Sequence, residues 1–245
     1  MNPIVRSGAA ARAGALLILV GPLVSWGAEF ITAAAWQDPP YSPLYNWVSH
    51  LGLTGPPQNA FGQVANSPLG AVMDTGWVIY GTLLITGAFL VFDPRKGARP
   101  IIIVTLAVLA GAGVALVGIV QGSNANVDNG LIALHTYGAQ GVMLAGNIMA
   151  IAVGASGTRI GLTRRRSIAS ITAGTAGLTA FPLFMTDVLT GWMWNIGLFE
   201  RAVIYPIMIG HALLGSSVAA AQRHRATHPP THTLYRTSRE LRRYT

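Results

Sequence analysis

Six apolar stretches, each about as long as a bilayer is thick, decide what this chain can fold into. Crossing roughly 30 Å of hydrocarbon at about 1.5 Å per residue takes about 20 apolar residues in a helix. The segments 13–35, 69–92, 101–120, 131–155, 168–187 and 198–221 meet that need. In hydrocarbon no water is available to backbone N–H and C=O groups, so each segment must satisfy them internally. The runs also lack the alternation of a barrel strand, so helices are expected. Only 10% of the 245 residues are charged, against about 25% in ordinary soluble domains, which excludes a water-soluble globule. The expected fold is an all-α integral membrane protein, a six-helix transmembrane bundle. There is no cysteine, which removes disulfides, thiolate nucleophiles and zinc sites with sulfur ligands.

The charges give the bundle a direction. Lys and Arg number 16 against 8 Asp and Glu, a formal charge of +8. The turn Asp93, Pro94, Arg95, Lys96, Gly97 and the connection 157–167, with Arg159, Arg164, Arg165 and Arg166, alternate with connections poor in basic residues. By the positive-inside rule, residues 1–12 form a cytoplasmic N-terminus and 222–245 a basic cytoplasmic tail, and Arg201 is the single basic residue on the opposite side. The positive charge thus reports orientation, and no nucleic-acid partner is expected. Membrane lipids are, with anionic headgroups attracted to the tail. The first segment also resembles a signal peptide ending near Ala28, but it continues past Glu29 through Ile31, Thr32 and three alanines, which favours a retained span. Gly111, Gly113 and Gly118 in the third segment, and Gly138, Gly141 and Gly146 in the fourth, permit close helix approach within the bundle or toward another copy of the chain.

The connection 36–68 is long and holds six of the 14 prolines; loops of this length are usually functional or disordered. Ser42 and Pro43 form a helix start and Gly52 a stop. Between them Leu44, Trp47, Val48 and Leu51 repeat at helical spacing, with Asn46, Ser49 and His50 on the other side. A short interfacial helix from Pro43 to Leu51 is predicted over the outer mouth, flanked by Trp36, Tyr41 and Tyr45 at headgroup level. Two readings of it stand: a seal, or a lid presenting Ser49 and His50 to a cavity beneath.

Acidic groups gather at the outer ends of the spans. Glu29, Asp74, Asp187 and Glu200 lie in terminal turns of different segments, where ionisable groups at membrane depth mark a site or a partner. Arg201 is the natural partner of Glu200 or Asp187. His135 opens the fourth span on the same side, giving Glu29, Asp74, His135 and Asp187 as candidate acid/base groups and Ser49, His50, Glu200 and Arg201 as candidate ligand-binding groups. No His-x-x-x-His or Glu-x-x-x-His pairing supports a metal site. No Gly-rich phosphate loop, nucleotide motif or haem signature is present, so no cofactor is expected. Ser49 lacks the strained turn of a hydrolase nucleophile. His211, deeper in the last span, reads as a core histidine bonded to a facing helix, or as part of a proton relay from Glu200.

The run Tyr41, Ser42, Pro43 through Val48, Ser49, His50, Leu51, Gly52 resembles the opening motif of a bacterial six-span membrane family, the domain of unknown function 998. Gly197, Leu198, Phe199, Glu200, Arg201 is similar to that family's Gly-Leu-x-x-Arg segment at the last span, and His135 sits where a histidine opens the fourth. The resemblance implies six spans in a bacterial-type inner membrane and an outer cluster of Ser49, His135, Glu200 and Arg201. It implies no reaction, and His50 departs from the family, where that position is often acidic. A remoter likeness, in span count and loop, is to eukaryotic six-span proteins of the Frag1 and DRAM group, tied to lipid handling. The expected function is to bind or modify a lipid or isoprenoid in the outer leaflet, with Arg201 holding an anionic headgroup. A small proton-coupled transporter and a structural or assembly subunit are the alternatives.

Overall fold

The computed structural model describes residues 4–227. Six long helices, each long and apolar enough to cross a membrane, dominate it. They are α1 (Ala9–Ala35), α2 (Gly70–Val91), α3 (Ala98–Ile119), α5 (Ile132–Ser156), α6 (Arg164–Thr190) and α7 (Ile196–Thr227), with a short α4 (Asn124–Asp128) between α3 and α5. Their ends overrun the apolar segments: α6 starts at Arg164 and α7 reaches Thr227. Apolarity reports only the part immersed in hydrocarbon, whereas helical hydrogen bonding continues into the polar flank. The helices run unbroken through Pro22, Pro182 and Pro206. The tail beyond Thr227, expected to be a basic arm, lies outside the described residues.

Neighbours in sequence are neighbours in space. The order α1, α2, α3, α5, α6, α7 closes on itself because α7 packs against α1, and α5 also meets α7 across the bundle. That cross-contact displaces α6 outward, and α6 is the least buried span.

Glycines set the closest crossings. A Cβ on Gly14 would lie 2.8 Å from the Gly87 carbonyl, and one on Gly87 2.7 Å from the Gly14 carbonyl. Gly113 and Gly138 join α3 to α5 in the same way, at 2.6 and 2.9 Å from each other's carbonyl. With no hydrophobic drive between helices in lipid, such backbone approach supplies the packing. Gly111 and Gly146 are likewise filled from within, against Ile85 and Ile207.

The two ends of the bundle differ in character. At the basic end the segment before α1 lies across the helix termini. Val5 pairs with Phe92, Lys96 Nζ donates to the Val5 carbonyl at 2.8 Å, and Gln222 Nε2 donates to the Arg6 carbonyl at 2.9 Å. At the acidic end a two-stranded hairpin, β1 (Gln58–Ala60) and β2 (Gln63–Ala65), turns through Phe61 and Gly62 at φ 48° and 78°. Positive φ at both turn residues suits the twist of a two-residue hairpin.

The predicted interfacial helix takes a different form. A closed turn at 42–46 is followed by a 3-10 helix, Ser49–Gly52, rather than one helix from Pro43 to Leu51. The cause is competition for backbone groups. The Pro43 and Asn46 carbonyls accept from Arg201 Nη1, the Leu44 carbonyl from the Leu198 N–H, and the Tyr45 carbonyl from Gln63 Nε2. Four consecutive carbonyls that an α-helix would use, Pro43 to Asn46, are thus occupied from outside. Ser42, read as a cap by its side chain, instead donates its N–H to Asn46 Oδ1 at 2.7 Å.

Replacing Gly113 by Val places a branched side chain against the Gly138 carbonyl and the Val142 backbone. Overpacking of this kind costs about 1–3 kcal/mol. The expected outcome is a lower unfolding midpoint in detergent for Gly113→Val and a near-unchanged one for Gly141→Val, whose site is open.

Candidate functional site

The second turn of α7 carries the polar centre of the acidic end. Arg201 is buried there, and its donors all find acceptors. Nε donates to Glu29 Oε1 at 3.0 Å, and Nη2 lies 3.0 Å from the same oxygen. Nη1 serves the carbonyls of Pro43, Asn46 and Gly197 at 2.8, 3.2 and 3.1 Å, and Nη2 also donates to the Tyr41 hydroxyl. Tyr205 Oη, one helical turn beyond Arg201, donates to Glu29 Oε1 at 2.9 Å. Burial pushes the Tyr41 phenol well above its ordinary range although Arg201 opposes the shift, so it remains a neutral acceptor. Gly197 is required at this point: a Cβ would lie 2.6 Å from the Pro43 carbonyl and 3.0 Å from Arg201 Nη1.

Arg201 is therefore paired with Glu29, not with Glu200 or Asp187 as the spacing suggested. The short link between α6 and α7 brings Asp187 near in sequence, but the guanidinium turns across the bundle toward α1. With its donors committed, Arg201 has none left for an anionic headgroup. Glu200, the preceding residue, accepts the Val48 N–H instead.

The acidic groups separate into different environments. Asp74 accepts from Gln121 Nε2 at 2.7 Å, and Gln121 is bonded in turn to Thr54. Its Oδ1 has no partner among the described residues, and Gly52 packs over it. Asp187 is buried in the last turn of α6, with Oδ2 unpartnered among the described residues. His50 is 1% exposed, and Phe61 stacks on it at 6.3 Å. Neither of its ring nitrogens has a hydrogen-bond partner among the described residues. Burial, reinforced by nearby His135, lowers its pKa to about 4.

Ser49, His135 and Glu200 are the candidates that meet. They line two adjoining cavities that share these three residues with Ala139 and Met143. The outer chamber, about 220 Å³, lies between α5, α6 and the loop, with Trp47, Phe61, Phe184 and Val188 among its walls. The inner one, about 50 Å³, is closed by Trp77, Tyr80, Val114 and Ile207. His135 Nδ1 donates to the Val120 carbonyl at 2.6 Å. A carbonyl only accepts, so the neutral ring carries its proton on Nδ1 and leaves Nε2 as an acceptor. Glu29, Asp74, Asp187, His50 and Arg201 line neither chamber.

Tyr41 was read from sequence only as a headgroup-level aromatic and part of the opening motif, and Tyr205 and Tyr80 were not singled out. Tyr205 carried a usable signal, its position four residues after Arg201 on one helical face. Tyr80 lies on α2, and its hydroxyl is 2.7 Å from His211 Nδ1; this gives His211 the facing-helix bond expected of a core histidine.

A family model described as a protein of unknown function (DUF998) matches residues 19–217. No curated protein and no solved structure matches the chain.

Breaking a buried ion pair by removing one partner costs about 3–5 kcal/mol, because the other charge is left unpaired. Glu29→Ala is therefore expected to lower the unfolding midpoint more than Glu29→Gln, whose amide oxygen still accepts from Arg201 Nε and Tyr205 Oη, as measured by unfolding in detergent. A second expectation concerns pH. His50 binds protons near 6.5 when unfolded and near 4 when folded, so the unfolded state takes up more protons between these values. Its contribution to stability is fully present above about pH 6.5 and declines as pH falls toward 4. Thermal melts across that window are expected to show a shallower decline for His50→Phe than for the wild type.

Proposed function

We propose that this chain, which belongs to the DUF998 family of proteins of unknown function, binds an amphiphile, a lipid or isoprenoid, in the outer leaflet. Its polar group would lie at Ser49, His135 and Glu200. The observation that carries this reading is the meeting of two largely apolar chambers at those three polar side chains. Thr136 and Gln140 add polar groups to the outer chamber, while Met143, Phe184, Met185 and Val188 offer an apolar wall. At about 220 Å³ the outer chamber is smaller than the roughly 300–1,000 Å³ that encloses drug-sized ligands. Only the polar group and the first part of a chain would enter, with the remainder left in the bilayer.

The orientation belongs to the same proposal. Arg6, Arg12, Arg95, Lys96, Arg99, Arg159 and Arg164 to Arg166 collect at one end of the bundle, with the helix termini that carry them. The positive-inside rule makes that end cytoplasmic and the cavity end external, in a membrane of the bacterial inner-membrane type. Proton transfer is the chemical extension of binding: Nε2 of His135 is a proton acceptor in the chamber that also holds the Ser49 hydroxyl.

A structural or assembly role draws support from the Glu29–Arg201 ion pair and the Asp74–Gln121 hydrogen bond. A cavity with polar groups at its centre favours the amphiphile. A transporter finds less support, since the helices run unbroken through their prolines.

Lipid extracted from the purified protein and identified by mass spectrometry tests the reading. One amphiphile enriched over its share of the membrane is expected, severalfold depleted in Ser49→Ala, in Glu200→Gln and in Met143→Trp, which fills the shared wall. Lipid content equal to the bulk membrane, and unmoved by Met143→Trp, would overturn it.

A further inference from the structure

We propose a second site at the opposite end of the molecule, a groove between α1 and α7 that takes the phosphate of an anionic phospholipid from the facing leaflet. It is independent of the reading of the outer cavity. The groove has a volume of about 590 Å³, with Arg12 on one wall and Arg225 on the other. Both side chains are exposed, and among the described residues neither makes an ion pair or a side-chain hydrogen bond. Three other cations at this end are committed to acceptors of the chain. Arg6 Nε donates to the Phe92 carbonyl at 3.0 Å, Lys96 to Val5 at 2.8 Å, and Arg166 to Ser217 at 2.9 Å.

The floor of the groove is built rather than incidental. Gln222, 6% exposed, spends both ends of its amide on the segment before α1: Nε2 donates to the Arg6 carbonyl, and Oε1 accepts the Gly8 N–H. This fixes the start of α1 beside α7. Gly8, at φ 97°, provides no side-chain cap, and the first turn contains no acid. The amide donors of that turn, the positive end of the helix dipole and the guanidinium groups of Arg12 and Arg225 thus open on one space. Converging backbone N–H groups and guanidinium forks are matched to phosphate oxygens.

Apolar surface below the charges names the source of the phosphate. Ala13 and Leu16 continue the wall along α1 into the hydrocarbon. A soluble phosphate gains nothing from them, whereas a phospholipid lays its acyl chain there while its headgroup meets Arg12 and Arg225.

Native mass spectrometry of the full chain tests this, after passage from nanodiscs of equal phosphatidylcholine and phosphatidylglycerol into detergent. The wild type is expected to retain phosphatidylglycerol. Arg12→Gln with Arg225→Gln should lower retention by about tenfold, the loss of one or two charge-assisted hydrogen bonds. Leu16→Trp, which fills the groove and leaves every charge in place, should lower it as well. Arg164→Gln with Arg165→Gln removes equal charge away from the groove and should change nothing. Equal loss in both double variants would mean attraction by net charge alone and overturn the site. Protection from thermal unfolding by inorganic phosphate as strong as by phosphatidylglycerol, unaffected by Leu16→Trp, would overturn the lipid assignment. Melting in pure phosphatidylcholine checks that each variant is folded.

Discussion

A guanidinium withdrawn from water must find an acceptor for each of its N–H donors, or the cost of burying it is not recovered. Arg201 meets that demand by taking the carbonyls of Pro43, Asn46 and Gly197 together with Glu29 and Tyr41. The loop 36–68 is thereby tied to α7, and α7 to α1. Leu198 and Gln63 claim the two carbonyls between, those of Leu44 and Tyr45. The local preference of 43–51 for a helix yields to this set of longer-range bonds. The loop is drawn across the bundle instead of standing as a separate amphipathic rod.

That tie also shapes the space beneath. Val48, released from a helical partner, gives its N–H to Glu200, which fixes the start of the Ser49–Gly52 turn where it packs on α2. Ser49 and Glu200 then stand at the junction of the two chambers, with His135 from the opposite wall. Polar side chains at this end divide by task. Glu29, Arg201, Tyr41 and Tyr205 hold one another, and Asp74, Gln121 and Thr54 hold the loop to α2 and α3. Those left facing the cavity carry the proposed chemistry.

Much of the fold was legible because hydrocarbon imposes a simple test. A segment either satisfies its own backbone over about 20 residues or does not cross, so the six spans and the sorting of charge between the ends followed from the order of residues alone. Candidate residues were legible as a set, since ionisable groups in terminal turns are rare enough to stand out. Their grouping was not. Spacing favoured Arg201 with Asp187 or Glu200, and only the closing of α7 against α1 brought Glu29 within reach. The hairpin 58–65 was also missed, because its strands are three residues long and too short for alternation to register.

The sequence by itself determined the solvent, the number of spans, the charge asymmetry and the class of residues at the acidic end, because each depends on local composition read against bilayer thickness. Tertiary structure decided which carboxylate neutralises the buried arginine, which carbonyls a loop surrenders, and which three of eight candidate side chains share a cavity. Those outcomes depend on helix rotation and on contacts between residues up to 172 positions apart, where a change of one neighbour moves a charge from pocket to ion pair.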